Sequence, residues 1–352
     1  MQICICRVSV EYKKLGDIAT YINGYAFKPE QRGSEGLPII RIQDLTGNAY
    51  DLGYYNGDYP KKVELNDGDV LISWSASLGV YLWNRGKALL NQHIFKVVFD
   101  KVEIDKFYFM YAVEYNLDKM SLKTHGATMK HITKKDFDNV VIPYPDLDYQ
   151  KEVAYRLISL KGIIKKYQEQ LDLLDELIKA RFVEMFGDPI YNTQNRPMTE
   201  FINVVKMQRG YDLPVQDRNH EGSIPVYGAN GVLGYHDVAK INNGGIITGR
   251  SGTIGKVYLA NKEYWPLNTS LFSIDTYGNN LIYLQYLVTL YDLKRFVEGT
   301  GVPTLNRNMF HNKKIIEVSI NEQNTFASFV EEVDKSRLLS NHSLFLIKSI
   351  TF

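Results

Sequence analysis

The sequence predicts an α+β protein made of two duplicated globular domains and two long helices that pair as a coiled coil. Three observations carry that expectation. Short strand-like apolar runs alternate with Gly- and Asn-rich loops and one or two helices in each half. A set of short segments recurs in one unbroken order about 176 residues further along the chain. Each half then closes on heptad-spaced apolar residues. The expected layout is a globular domain at 1–146, a long helix at 147–187, a globular domain at 188–319 and a long helix at 320–352.

The repeat is built from several weak matches that share their order. "SASLG" (75–79) returns as "SGTIG" (251–255), each behind a strand-like run, "DVLIS" and "GIIT". Asn91 in "LLNQHIFKVVF" matches Asn268 in "PLNTSLFSI". "FYFMYAVEYNLDKM" (107–120) resembles "IYLQYLVTLYDLKRF" (282–296), and both read as amphipathic helices. "HGATMKHI" parallels "GTGVPTLNR", and "NVVIPYPDLDYQKEV" parallels "KIIEVSINEQNTF".

The first long helix follows from its seam. Val153, Leu157, Leu160, Ile164, Tyr167, Leu171, Leu174 and Ile178 alternate spacings of four and three. Asp146 or Asp148 caps the start, and "GDP" (187–189) stops the helix with glycine and proline. A helix of about 38 residues is roughly 57 Å long. In the second copy the seam is Phe326, Val330, Val333, Arg337, Ser340, Leu344, Ile347 and Thr351, behind the capping box "SINE" (319–322). Its polar members weaken this helix alone, so it needs a partner, and the first helix is the one expected.

Composition bounds the function without naming it. The 352 residues are 45% hydrophobic and 23% charged, as in soluble globular proteins. A net charge of +1 excludes no partner, because a balanced total can hide a basic face. The two cysteines, Cys4 and Cys6, are too close for an ordinary disulfide, and no Cys/His cluster offers a metal site. No run approaches the roughly 18–20 apolar residues of a membrane span, and Arg7 falls too early for a signal-peptide core. The expectation is a cytoplasmic protein with no membrane contact.

"GRSGTIGKV" (249–257) imitates a phosphate loop and fails the count. A P-loop needs its first glycine where Arg250 stands and its magnesium-binding hydroxyl where Val257 stands. The segment also leads into a strand rather than a helix, and the first copy reads "SWSASLGVY". "PDLDYQK" (145–151) lacks the carboxylate–lysine partner of a nuclease site, the histidines form no HExxH or triad pattern, and "FGDP" (186–189) is not an amino-methyltransferase motif. No catalytic residue is expected.

Binding chemistry is present instead. "KMSLKTHGATMKHITKK" (119–135) carries Lys119, Lys123, His125, Lys130, His131, Lys134 and Lys135 with no acid, which suits DNA phosphates. Its counterpart, Lys294 to Lys314, holds Arg295, Arg307, His311 and Lys313. Base reading needs forked or planar side chains in loops beside strands. The candidates are Arg41, Gln43, Trp74, Asn91, Gln92 and His93 in the first half. In the second they are Arg209, Tyr211, Tyr227, Asn230, Arg250, Ser251, Asn268 and Thr269. The sets differ, as two readers of two half-sites would.

With "GDVLIS", "LNQHIFKV", "GATMKHI", "IPYPDLDYQKEV" and "LLDELIKARFVEMFGDP" in this order, the chain resembles the specificity subunit of type I restriction–modification systems from Leu15 to the last helix. The resemblance implies a non-enzymatic reader of double-stranded DNA without a cofactor of its own. Two target-recognition domains would each read half of a split, asymmetric site. The long helices would pair antiparallel as a spacer, giving pseudo-twofold symmetry. They would dock two methyltransferase subunits, which bring S-adenosylmethionine, and restriction subunits would join that complex in turn. The short second helix, with Arg337 and Ser340 in its seam, departs from the pattern. Two rival readings are an enzyme with its own nuclease or methyltransferase activity, which the missing motifs oppose, and a coiled-coil scaffold that ignores DNA, which the repeated basic loops oppose.

Overall fold

The computed structural model describes residues 10–48, 51–123, 133–219, 221–298 and 303–351. The chain divides into two compact units, Met1–Gly162 and Ile163–Phe352. Unit 1 begins β1 (Glu11–Lys14), α1 (Leu15–Ile18), β2 (Thr20–Asn23), β3 (Leu37–Ile40), α2 (Ile42–Thr46), β4 (Gly53–Tyr55) and β5 (Glu64–Leu65). It continues β6 (Val70–Ser73), β7 (Gly79–Leu82), β8 (Ala88–Leu90), β9 (Ile94–Val98), α3 (Lys106–Lys123), α4 (Lys134–Asp138) and β10 (Val141–Tyr144). Then α5 (Leu147–Phe186) begins, and it carries the chain into unit 2.

Unit 1 has two four-stranded sheets, β2-β9-β6-β7 and β4-β3-β8-β5, and the pair β1-β10. The run "VLIS" of β6 is apolar without alternation because both of its faces are covered. Val70 and Ile72 pack with Phe109, Val113 and Leu117 of α3. Leu71, pointing the other way, packs with Ile40, Leu65 and Leu90 of the second sheet.

Unit 2 repeats this plan. It runs β11 (Met198–Glu200), α6 (Phe201–Val204), β12 (Lys206–Arg209), β13 (Ile224–Gly228), β14 (Gly231–His236), β15 (Gly245–Gly249) and β16 (Val257–Ala260). There follow β17 (Trp265–Pro266), β18 (Ser270–Asp275), α7 (Leu281–Leu290), β19 (Val297–Glu298), β20 (Thr304–Leu305), β21 (Lys314–Ile316) and α8 (Ile320–Thr351). The sheet β12-β18-β15-β16 matches β2-β9-β6-β7 strand for strand, and β14-β13-β17 matches β4-β3-β8. The parallel pair recurs as well, β3 with β8 and β13 with β17. Like β6, β15 is buried on both faces, with Ile246 toward α7 and Ile247 toward the second sheet.

The C-terminal part of α5 shares the unit 2 core with α7 and α8. Phe182 stands edge-on to Phe326 at 5.3 Å and stacks on Tyr283 at 5.7 Å. Further along, Arg337 pairs with Asp175, so α5 numbers fall as α8 numbers rise and this stretch is antiparallel. Ile178, Phe326, Val330 and Val333 are buried, Leu174 packs on them, and Ile164, Tyr167, Leu171, Leu344 and Ile347 are half-buried. In unit 1, Val153, Leu157 and Leu160 are half-buried, while Glu152, Tyr155 and Arg156 are exposed. The polar seam positions are satisfied: Arg337 also meets Asp334 at 3.1 Å, and the Ser340 hydroxyl donates to the Ser336 carbonyl at 3.1 Å. Among the described residues no helix is long and apolar enough to cross a membrane.

Phe182 is fully buried among aromatic rings. Phe182→Ala is expected to cost unit 2 about 3–5 kcal/mol, read as an earlier urea transition. A loss under about 1 kcal/mol would place the ring outside the core.

Candidate nucleic-acid interface

In unit 2 several turns converge on the segment that imitates a phosphate loop. Gly252 and Gly255 take φ values of 77° and 95°, so these glycines let β15 turn back into β16. Ala76, at the matching position of unit 1, adopts φ 57° and bears the strain of a side chain there. Arg250 is held at both backbone ends: its N–H donates to the Thr269 carbonyl at 2.9 Å and its carbonyl accepts from Leu305 N at 2.8 Å. Ser251 bridges Thr304. A Cβ on Gly249 would lie 3.2 Å from Ala229, in the β13–β14 turn. Asn230, Arg250, Ser251, Asn268 and Thr269 are thereby brought together on neighbouring turns.

Arg209 and Tyr211 join this group through Gly210. A Cβ there would lie 2.2 Å from the Leu267 carbonyl oxygen, so only glycine lets the strand pass the β17–β18 turn. Arg209 is exposed, the Tyr211 ring lies under the Lys240 ammonium at 4.8 Å, and the Asn268 amide is tied to Asp212. Lys294 adds a cation, its alkyl stem lying against Gly255. Arg307 is half-buried near His311.

Unit 1 has the same backbone. Trp74 N donates to the His93 carbonyl at 3.3 Å, as Arg250 does to Thr269. Asn91 N donates to the Ile40 carbonyl at 3.0 Å, as Leu267 N does to that of Tyr227 at 2.8 Å. Gly24, like Gly210, passes the turn too closely for a side chain, since a Cβ there would lie 2.0 Å from the Asn91 carbonyl oxygen. These bonds correct the expected match of Asn91 with Asn268. Asn91 stands where unit 2 has Leu267, Gln92 matches Asn268, and His93 matches Thr269. Gly24, Tyr25 and Gly210 were not among the expected site residues, although Tyr211 was, and "NGY" and "RGY" repeat in the sequence.

Two expected base readers are structural instead. Arg41 is buried, its Nε donating to Asp44 Oδ2 at 3.0 Å and its far end engaging Asp51. Tyr227 is a core ring whose hydroxyl donates to the Leu259 carbonyl at 3.3 Å. Trp74 is half-buried, stacked on Phe95 at 5.7 Å and edge-on to His93 at 5.0 Å, and Asn91 is buried. Gln43, on α2, and Gln92 are exposed. Lys123 ends α3 with its side chain outside the described residues, as are His125, Lys130 and His131 altogether. Among the described residues no three His, Cys, Asp or Glu are grouped to hold a metal ion.

The sequence pattern of the type I restriction modification DNA specificity domain fits residues 7–173 and, a second time, residues 192–347. This chain belongs to that family. A stretch of 168 residues is 27% identical to the EcoBI specificity subunit of Escherichia coli, covering 47% of this chain and 35% of that one. A putative MjaX specificity subunit of Methanocaldococcus jannaschii is 31% identical over 141 residues, covering 39% and 33%. The matches thus span about a third of these two relatives' length. In fold, the chain is similar to the S subunit of a type I restriction–modification system from M. genitalium, with a TM-score of 0.61, 14% identity and coverage of 99% and 96%. A chain from a structure of type I R-M complex assembly gives a TM-score of 0.57 at 13% identity, covering 97% and 95%.

Beside the turns of the second specificity domain, burial, with Arg307 and Lys206 nearby, holds the His311 imidazole neutral down to about pH 4. Its Nε2 accepts from Met207 N at 3.2 Å, a bond that protonation abolishes. The unfolded chain binds that proton near 6.5, so stability is lost as pH falls from there toward 4. Urea titrations between pH 4 and 7 should show this slope in the wild type and a flatter one in His311→Gln. Equal slopes would count against it.

Proposed function

We propose that this chain is the DNA-recognition subunit of a type I restriction–modification complex, reading a bipartite, asymmetric site in double-stranded DNA. What carries the reading is one backbone used twice with different side chains at its matched turns. Trp74, Gln92 and His93 in one domain stand where Arg250, Asn268 and Thr269 stand in the other. Arginine prefers guanine and asparagine or glutamine adenine, so the two surfaces fit two different half-sites. Lys240, Lys256, Lys294 and Arg209 around the second set suit phosphates, which give affinity without sequence.

The remaining parts follow from the same reading. Residues 1–146 and 188–319 serve as target-recognition domains, and the helices at 147–187 and 320–352 as a paired spacer. The antiparallel contacts of α5 with α8 support that pairing. Continued along both helices, it gives a pseudo-twofold arrangement and a rigid spacer that fixes the separation of two half-sites. The helices dock two methyltransferase subunits, and restriction subunits join that assembly. Chemistry and S-adenosylmethionine belong to the partners, the chain itself is non-catalytic and without cofactor, and the complex works in the cytoplasm.

Mapping N6-methyladenine across a host genome with and without this gene tests the proposal. A split motif should lose its methylation on deletion, and an unchanged map in a host with an active system overturns the reading. In the assembled complex, Arg250→Ala should weaken specific binding by about 1–3 kcal/mol and relax the sequence requirement in one half-site. Equal loss on every duplex would make Arg250 a phosphate contact.

A further inference from the structure

The β13–β14 hairpin carries a feature that folding does not explain. Along β14, Val232, Leu233 and Tyr235 are 46%, 52% and 49% exposed, and Val238 just beyond is 55% exposed. Central strands β6 and β15, by contrast, are buried throughout. The pairing of β13 with β14 runs Val226 to Gly234 and then Tyr227 to Val232, so Leu233 is the extra residue of a β-bulge. A bulge leaves its residue out of the ladder and re-aims the side chain. Gly228 makes room for it, since a Cβ there would lie 2.4 Å from Leu233 Cδ1.

Edge protection accounts for a bulge but not for its residues. β14 is the edge strand of its sheet, and edges are guarded by charge or proline, not by adjacent exposed aliphatics. In unit 1 the matching strand β4 is Gly53-Tyr54-Tyr55, and it pairs with β3 in unbroken register. The apolar hairpin is therefore peculiar to one of the two copies.

Its surroundings say what covers it. The turn at its tip abuts Gly249 and hence Arg250, and Asn230 stands exposed in that turn. Lys240 follows two residues after Val238, its ammonium 4.8 Å from the Tyr211 ring. Asp237, the acid on this stretch, is exposed and lies 3.0 Å from His236 Nδ1, which accepts from Asn219 N at 3.1 Å. An aliphatic patch flanked by cations suits a polyanion with apolar groups in a groove. Two-stranded ribbons fit the DNA major groove, where thymine alone presents a methyl group.

We infer that the β13–β14 hairpin is the thymine-reading element of the second recognition domain, with Val232 and Leu233 seated against thymine C5-methyl groups in the major groove. This rests on the DNA-reading function proposed above and adds the base and the groove. Replacing thymine by deoxyuridine removes only that methyl and keeps every hydrogen-bonding group of the base pair.

The test uses the complex assembled with its methyltransferase subunits and duplexes bearing the site identified by methylation mapping. Deoxyuridine replaces all thymines of one half-site or of the other. Wild-type complex should bind one of these duplexes more weakly, about fourfold for each methyl contacted, and bind the other as it binds the thymine duplex. The exposed double change Val232→Ser and Leu233→Ser should remove the discrimination while keeping the response to sequence in the opposite half-site. Equal binding of thymine and deoxyuridine duplexes in both halves, or an undiminished loss in the double variant, overturns the inference. A wild-type complex that does not prefer its mapped site over unrelated DNA overturns the recognition function itself.

Discussion

Each unit depends on one strand that is buried on both faces. β6 and β15, with their sheet neighbours β9 and β18, lie between helix and second sheet, so the side chains on either face fix both neighbours at once. Val70 and Ile72 seat α3 while Leu71 seats the second sheet, and Ile246 and Ile247 divide the same task in unit 2. Fully burying such a residue is worth about 1.5–3 kcal/mol. Because the strand is held from both sides, the turn that leaves it, at 74–78 or 250–256, starts from a fixed point. Varied loop residues can then be carried on an unvarying base.

That division explains what the sequence makes legible. The two-sided strands and the heptad seams are statements about burial, and burial is written in the period of apolar residues. The duplication was visible because its segments keep their order. The register at the turn was not, since matching Asn91 to Asn268 follows side-chain identity, whereas backbone bonds from Asn91 and Leu267 set the alignment. Side-chain roles were the least legible. Arg41 has Asp44 three residues on, a pairing that could have warned against reading it as free. The carbonyl that takes the Tyr227 hydroxyl lies on Leu259, 32 residues away, and no local pattern announces it.

The second long helix shows how polar residues can sit in an apolar seam. Arg337 places its guanidinium between Asp175 and Asp334, and Ser340 returns its hydroxyl to its own helix. Neither leaves a buried polar group unmet, which is the condition for keeping such residues in a packed interface. Partners on α5 and within α8 replace the apolar contacts that the sequence lacks there, and the helix that looked weak alone is weak only in isolation.

The close passage of Gly24 and Gly210 beneath their turns sorts the surface into fixed and free positions. Any side chain at either glycine would displace a main-chain carbonyl on which the opposite turn is hung. The turn residues above, by contrast, are anchored by backbone bonds, those of Trp74, Gln92 and Arg250 among them, that every amino acid except proline can supply. Side chains at these turns can thus change without altering the backbone that carries them. The tips tolerate replacement, whereas the glycines beneath admit no side chain.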